Sequence, residues 1–210
     1  MSSISIIGVG HMASALAGRA LGGGNTVEII GRDAAKAQEV ASRLGGVTVG
    51  TIGEPPAGDI VVLAVPYASA AAAVGEFGEA LAGKILVDIT NPFAPDLSKL
   101  VTPGDSSGAQ ETAKAAPAGT RIIKGFNTLF ADILATPPDA DRPLDVFLAG
   151  DDVQAKAEVS AFAASLGLRP RDAGPLSMAR ALEYAGLLEL NLKTHGLEQT
   201  DFVLGITVLG

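Results

Sequence analysis

The residues best suited to chemistry form a glycine-rich turn close to the start of the chain. An apolar run over residues 4–7 leads into Gly8, Gly10 and Ala13, which have the spacing G-x-G-x-x-A. The first glycine allows a tight turn, and the second lets the backbone approach a pyrophosphate. The small alanine lets a helix pack closely on the strand, and the free N–H groups at the helix start face the phosphates. We therefore expect a dinucleotide to bind at Gly8, Val9, Gly10, His11, Met12 and Ala13.

The residues after the second predicted strand select the type of nucleotide. Residues 27–30 read as this strand, and Gly31 and Arg32 follow it. A site for NAD has a carboxylate here that binds the ribose 2′-hydroxyl, whereas an arginine suits the 2′-phosphate of NADP. Lys36, one helical turn later, either adds positive charge or is a solvated helix residue. Asp33 is expected to cap the helix that begins at residue 34, rather than to bind ribose.

Polar residues also follow two later predicted strands. Asn91 comes after the strand over residues 84–89, and Asn127 comes after the strand over residues 121–124. Because ligands bind at the carboxyl ends of parallel strands, we expect both side chains on the binding edge of the sheet. An asparagine there can hold a ribose or a carboxamide through its donor and acceptor. The alternative is a side chain that closes a loop by bonding nearby backbone.

The sequence lacks the usual groups for acid–base chemistry beside a carbonyl. Neither Tyr67 nor Tyr184 has a lysine four residues later, and Lys193 and His195 lie at the far end of a long C-terminal helical pattern. We therefore predict no catalytic side chain. Hydride transfer between two stacked rings depends on alignment more than on acid–base catalysis, and it fits this composition.

Composition and charge argue against several other classes of protein. The 210 residues include no cysteine and two histidines, so disulfides, thiolate catalysis and a metal centre are not expected. The formal net charge of −8 argues against nucleic acid and anionic membranes as partners. The chain begins with a strand pattern rather than a signal peptide, which predicts a cytoplasmic protein. The expected partner is a small-molecule redox co-substrate.

Strand and helix patterns alternate along most of the chain. This alternation predicts an α/β fold over residues 1–174, a Rossmann-type doubly wound parallel sheet that binds NADP(H). A long helical pattern over residues 175–194 has apolar residues on more than one side, so it needs two partners. We expect residues 175–210 to form a small C-terminal helical extension, acting either as a cap or, as we favour, as the contact of a homodimer.

Segments at the predicted strand ends resemble those of a known family. They are Gly8-Val9-Gly10, Gly31-Arg32 with Lys36, Ala64-Val65-Pro66, Asp88-Ile89-Thr90-Asn91-Pro92, Ile123-Lys124-Gly125-Phe126-Asn127-Thr128 and Ala149-Gly150-Asp151-Asp152. Together with residues 172–183 they resemble the NADPH:deazaflavin oxidoreductases, which pass hydride between NADPH and coenzyme F420. The resemblance spans nearly the whole chain, and its motifs are specific only in combination.

The resemblance implies a Rossmann domain, dimerisation through a small C-terminal helical part, and nicotinamide stacked face to face on deazaflavin. It implies that residues 8–13 bind pyrophosphate and that Gly31, Arg32 and Lys36 bind the 2′-phosphate. It implies that Val65, Pro66 and Ala149 lie by the ribose and nicotinamide, and Ala64 is expected among the cofactor-binding residues. Family members often have a hydroxyl residue at the positions of Val9 and Gly31, so Arg32 has less help here in selecting NADP over NAD.

Two other functions fit the same sequence features. One is an NADPH-dependent reductase of free flavin or of a small imine or carbonyl compound, which is favoured if Lys193 or His195 lines the cleft. The other is a non-catalytic NADP(H) sensor, in which the long C-terminal helix transmits occupancy to a partner.

Overall fold

A single mixed sheet organises the computed structural model, which describes residues 1–197 and 202–209. Within these residues the strand order is β3-β2-β1-β4-β5-β6-β7-β8. The order reverses direction beside β1, which is the topological switch point of a doubly wound fold. The strands are β1 (Ser3–Ile7), β2 (Thr26–Ile30), β3 (Val47–Gly50), β4 (Ile60–Leu63), β5 (Ile85–Asp88), β6 (Arg121–Lys124), β7 (Asp145–Gly150) and β8 (Arg169–Gly174).

The helices follow the predicted alternation, with one addition. A short helix, α5, lies between β6 and β7, where the sequence had not indicated one. The helices are α1 (His11–Gly22), α2 (Ala34–Leu44), α3 (Tyr67–Phe77), α4 (Gly108–Ala115), α5 (Ala131–Ala135), α6 (Val153–Ser165) and α7 (Ala179–His195). The α/β Rossmann-type fold with a helical C-terminal segment is therefore confirmed.

The last two strands correct the prediction of a wholly parallel sheet. Strands β1 to β6 are parallel, but β7 pairs antiparallel with β6, where Lys124 faces Ala149, and β8 then runs parallel to β7. A parallel pairing needs a crossover that returns the chain to the starting edge of the sheet. Between β6 and β7 the chain instead forms α5, which packs against α1. The chain therefore enters β7 from the carboxyl edge of β6.

The core has two layers, one on each face of the sheet. Successive residues of a strand point to opposite faces, so Ile6 packs in one cluster with Leu16 and Phe162, while Ile7 packs in the other with Phe77. All four residues of β4 are buried, as the continuous apolar run predicted. The two layers hold the carboxyl ends of β1, β2 and β4 side by side.

A buried charge cluster fastens the start of α7 to the sheet. The Lys124 ammonium lies 3.1 Å from both Asp88 Oδ1 and Glu183 Oε1, and all three side chains are fully buried. Glu183 also accepts hydrogen bonds from the N–H groups of Gly108 and Ala109, at the start of α4. Removing one partner from such a cluster typically costs about 3–5 kcal/mol, because an uncompensated charge is left inside.

The C-terminal extension differs in detail from the predicted single helix. Residues 176–178 form a 3₁₀ turn, and α7 begins only at Ala179. The predicted division between residues 1–174 and 175–210 stays a prediction, and part of it, residues 198–201 and 210, lies outside the described residues. The segment 202–209 packs back on the body, where Leu204 N donates to Glu189 Oε1 at 3.0 Å and Ile206 N donates to Asp145 Oδ2 at 2.6 Å.

Glu189 makes the stability of this arrangement depend on pH. Its side chain is buried on α7, and burial raises the pKa of its carboxyl to about 7 from 4.5, against the opposing effect of the Leu204 N–H. Between these values the folded state holds a proton that the unfolded state has lost. The contribution of Glu189 to the free energy of unfolding is therefore fully present below about pH 4.5. It is lost as the pH rises from there through about 7, and the total loss for this group is about 3 kcal/mol.

The substitution Glu189→Gln tests this assignment. The amide cannot ionise, so we expect its unfolding free energy to be flatter between pH 5 and 8 than that of the wild type, measured by urea denaturation at each pH. The control is Glu39→Gln on the exposed face of α2, which should keep the wild-type decline. An unchanged slope in Glu189→Gln would contradict the assignment.

Candidate cofactor-binding site

The turn after β1 is shaped by the backbone of the neighbouring strand β4. Gly8 has a φ of +135°, and a Cβ placed on it would lie 2.1 Å from the carbonyl oxygen of Ala64. The amide of Gly8 donates to Ile30 O at 2.8 Å, so the same turn also contacts the end of β2. Gly8 is therefore required by the close approach of protein backbone, whatever ligand binds beside it.

Gly10 faces open space instead. It is the N-cap residue of α1, its φ of −80° is accessible to any residue, and a Cβ placed on it meets no atom within 4 Å. The helix begins without a side-chain cap, so its first N–H groups and the positive end of its dipole remain available. This open, cap-free helix start fits an anionic group such as a pyrophosphate.

The other turn residues divide between surface and core. His11 is exposed at the first position of α1, and Met12 is half-buried and packs against the core. Ala13 is fully buried, which agrees with the predicted close packing of the helix on the strand. A direct contact of these three residues with a nucleotide stays a prediction.

A cavity of about 320 Å³ joins this turn to the ends of β2 and β4. It contains nine of the predicted site residues, namely Gly8, Val9, Gly10, Gly31, Arg32, Lys36, Ala64, Val65 and Pro66. It also contains residues that the sequence analysis missed, among them Ile52 after β3 and Ser69 and Ala73 on α3. The signal for the α3 pair was their spacing of four residues, which places them on one helix face directly after Pro66.

Two cations stand at one end of this cavity, and both already have acidic partners. Arg32 Nη2 lies 3.3 Å from Glu76 Oε1, and Lys36 Nζ lies 3.9 Å from Asp33 Oδ2. Asp33 also accepts a hydrogen bond from the N–H of Lys36 at 3.1 Å, so its predicted role as the cap of α2 is confirmed. The carboxylate of Asp33 is therefore engaged in capping α2.

The side chain of Val9 packs against the backbone of Gly31. A Cβ on Gly31 would lie 2.6 Å from Cγ1 of Val9, so the valine fills the space that a larger residue at position 31 needs. Neither Val9 nor Gly31 carries a hydroxyl group that could donate to a phosphate. Any 2′-phosphate here would depend on Arg32 and Lys36 for its charged contacts.

The two predicted asparagines bond to each other and to α7. Asn91 Nδ2 donates to Asn127 O at 2.9 Å, and Asn127 Nδ2 donates to Asn91 Oδ1 at 3.0 Å and to Leu182 O at 2.8 Å. They therefore hold α7 against the carboxyl ends of β5 and β6. Ala149 is fully buried in β7. None of these three residues lines the cavity, and their contact with a ribose or nicotinamide stays a prediction.

The side chains considered for acid–base chemistry lie elsewhere. Lys193 Nζ lies 4.6 Å from the centre of the Phe130 ring, and His195 is exposed at the end of α7. Neither residue lines the 320 Å³ cavity. Tyr67, at the start of α3, has a pKa raised by burial and by the negative charges of Glu111, Glu183 and Asp88, so its phenol stays protonated at neutral pH.

Comparison with known proteins shows which family this chain resembles. Residues 3–92 match the family described as NADP oxidoreductase, coenzyme F420-dependent. An F420-dependent NADP reductase of Methanothermobacter marburgensis is 30% identical over 209 residues, covering 90% of this chain and 91% of that protein. The chain belongs to this family.

A solved structure and a second relative extend the comparison. A protein of Arthrobacter sp. FB24, with a suggested F420-dependent NADP reductase function, superposes with a TM-score of 0.81 at 27% identity, covering 92% of this chain and 94% of that one. Metalloreductase STEAP3 of Rattus norvegicus is 33% identical over 183 residues, covering 86% of this chain. The chain spans only 35% of that metalloreductase, and 63% of the F420-dependent NADP reductase of Methanocaldococcus jannaschii.

No helix among residues 1–197 and 202–209 is long and apolar enough to cross a membrane.

The two turn glycines should respond differently to substitution by alanine. Gly8→Ala places a Cβ against the Ala64 carbonyl and should lower the free energy of unfolding by about 2–4 kcal/mol, measured by urea denaturation. Gly10→Ala meets only open space, so it should keep the wild-type stability but weaken NADPH binding about tenfold or more, measured by calorimetry. Wild-type NADPH affinity in Gly10→Ala would mean that the pyrophosphate does not lie on this turn.

Proposed function

We propose that the protein is an NADP(H)-dependent oxidoreductase that transfers hydride between NADP(H) and a deazaflavin of the coenzyme F420 class. The observation that carries the nucleotide part is the cavity in which the open backbone at Gly10 and the guanidinium of Arg32 face one ligand space. The choice of deazaflavin is supported by the similarity to an F420-dependent NADP reductase along 90% of the chain.

The residues of this cavity have separate tasks in the proposed reaction. The first N–H groups of α1 bind the pyrophosphate, while Arg32 and Lys36 pair with the 2′-phosphate. Val65 and Pro66, in the turn between β4 and α3, form the wall beside the ribose and nicotinamide. Bound NADPH supplies the hydride, from its nicotinamide ring. The protein then contributes alignment of the two rings and exclusion of water, rather than a proton-transfer group.

The placement of Lys193 and His195 favours this function over reduction of a small imine or carbonyl compound. Such substrates need a proton donor beside the reacting atom. Lys193 is engaged with the Phe130 ring and His195 is exposed, so neither side chain supplies that group in the cavity. Transfer between two stacked rings makes no such demand.

We further propose that α7 joins two copies of the chain. Tyr184, Leu188 and Leu192 are spaced four residues apart on one face of this helix, and their exposed fractions are 46%, 55% and 38%. Apolar residues that recur at this spacing on an exposed face are typical of a helix that packs against a partner. A second copy would cover this stripe, while the opposite face of α7 stays bound through Glu183.

The function is tested by an assay of NADPH and NADH oxidation with coenzyme F420, FMN and FAD as separate acceptors. The proposal expects fast turnover with NADPH and coenzyme F420 and slow turnover with the two flavins. Turnover with FMN or FAD alone would replace the deazaflavin by a flavin. Nucleotide binding without turnover on any acceptor would contradict the enzymatic proposal and favour a sensor.

The selection of NADP is tested by Arg32→Ala. Loss of the charged contact should weaken NADPH binding by about 1–3 kcal/mol, with little change for NADH, measured by calorimetry. Arg142→Ala is the matched control, because this exposed arginine pairs with Asp139 outside the cavity. Equal losses for the two nucleotides would mean that Arg32 does not bind the 2′-phosphate.

The dimer is tested by Leu188→Lys. A charge in the middle of the apolar stripe should shift the protein from dimer to monomer in sedimentation analysis, while its circular dichroism stays unchanged. Val153→Lys is the control, since Val153 is 79% exposed at the start of α6. A wild-type protein that sediments as a monomer would contradict the proposed contact.

A further inference from the structure

The ion pair between Arg32 and Glu76 joins the end of β2 to α3 at the mouth of the cavity. Ser69, Ala73 and Glu76 are spaced four and three residues apart, which places them on one face of α3. The first two line the cavity, so the carboxylate of Glu76 stands at the edge of the same space. Its distance of 3.3 Å from Arg32 Nη2 is that of a direct ion pair.

The two acidic residues near the cations are not equivalent. Asp33 is fixed because its carboxylate caps α2 through the N–H of Lys36. Glu76 accepts no hydrogen bond from elsewhere in residues 1–197 and 202–209, and its side chain is 39% exposed. Exposed ion pairs of this kind are weak, so Glu76 can leave Arg32 at small cost when a stronger anion arrives.

We propose that Glu76 is a specificity-determining residue that competes with the 2′-phosphate for Arg32 and so lowers the preference for NADPH over NADH. This inference rests on the proposed function, since it assumes that the adenosine end of NADP(H) lies at Arg32. A bound 2′-phosphate either displaces Glu76 or stays close to its negative charge, and both reduce the net gain from Arg32. The uncharged 2′-hydroxyl of NADH meets neither effect.

The apolar contact between Val9 and Gly31 increases the influence of Glu76. Val9 and Gly31 carry no hydroxyl group, and the cations that line this cavity are Arg32 and Lys36, so the charged contacts of a 2′-phosphate come from these two residues. Both cations are shared with carboxylates, and the two ion pairs together carry no net charge. The strength of binding therefore depends on how readily Glu76 releases Arg32.

The test measures affinities of Glu76→Gln for NADPH and NADH by calorimetry at low salt. We expect about three- to tenfold tighter binding of NADPH and less than a twofold change for NADH, because a like charge has been removed beside the phosphate. The gain should shrink at 0.5 M salt, where charges at this exposed site are screened. Glu79→Gln removes the same charge three residues later, in the 3₁₀ turn Gly78–Leu81, and should leave both affinities unchanged.

Several results would overturn the inference. These are an unchanged or weaker affinity of Glu76→Gln for NADPH, an equal gain for NADH, or the same gain in Glu79→Gln. Weaker binding of NADH in Glu76→Gln would instead make Glu76 a ligand of the ribose hydroxyl. Failure of the proposed function has a separate signature, which is a wild-type protein that binds neither nucleotide or whose NADPH affinity does not depend on Arg32.

Discussion

The close approach between the turn after β1 and the end of β4 is the constraint on which the nucleotide site depends. Gly8 lies so near the carbonyl of Ala64 that no side chain fits between them, and its amide bonds to Ile30 at the end of β2. This contact fixes the ends of three adjacent strands relative to one another. It also sets the direction in which α1 leaves the sheet, so that Gly10 and the first turn of the helix face the cavity.

A second constraint ties the C-terminal extension to the same edge of the sheet. Lys124 and Asp88 end β6 and β5, and Glu183 joins them from α7 inside the protein. The asparagine pair Asn91 and Asn127 adds hydrogen bonds between the same elements. The position of α7 is therefore set by groups at the carboxyl ends of the strands, which is the edge at which ligands bind in open α/β sheets.

Local patterns in the sequence were sufficient for the features that depend on neighbouring residues. The glycine turn, the buried run of β4 and the capping role of Asp33 follow from spacing and residue type, and the structure contains each of them. The antiparallel β7 was not predictable in this way. Its direction depends on α5 packing against α1, which is a contact between distant parts of the chain.

The same distinction applies to the site. Arg32 was identified from its place after β2, but its partner Glu76 lies 44 positions later on α3, and no sequence pattern links the two. Asn91 and Asn127 were expected at the binding edge because they follow strands. They do lie at strand ends, yet their mutual hydrogen bonds and their contact with α7 require the folded sheet. Pairings across the fold are what the sequence alone could not supply.

The most direct test of this account is a crystal structure of the protein with NADP⁺. The account predicts the pyrophosphate over Gly10 at the start of α1, with the 2′-phosphate within hydrogen-bond distance of Arg32. A nucleotide bound in another cavity, or one whose 2′-phosphate points to solvent away from Arg32, would contradict it.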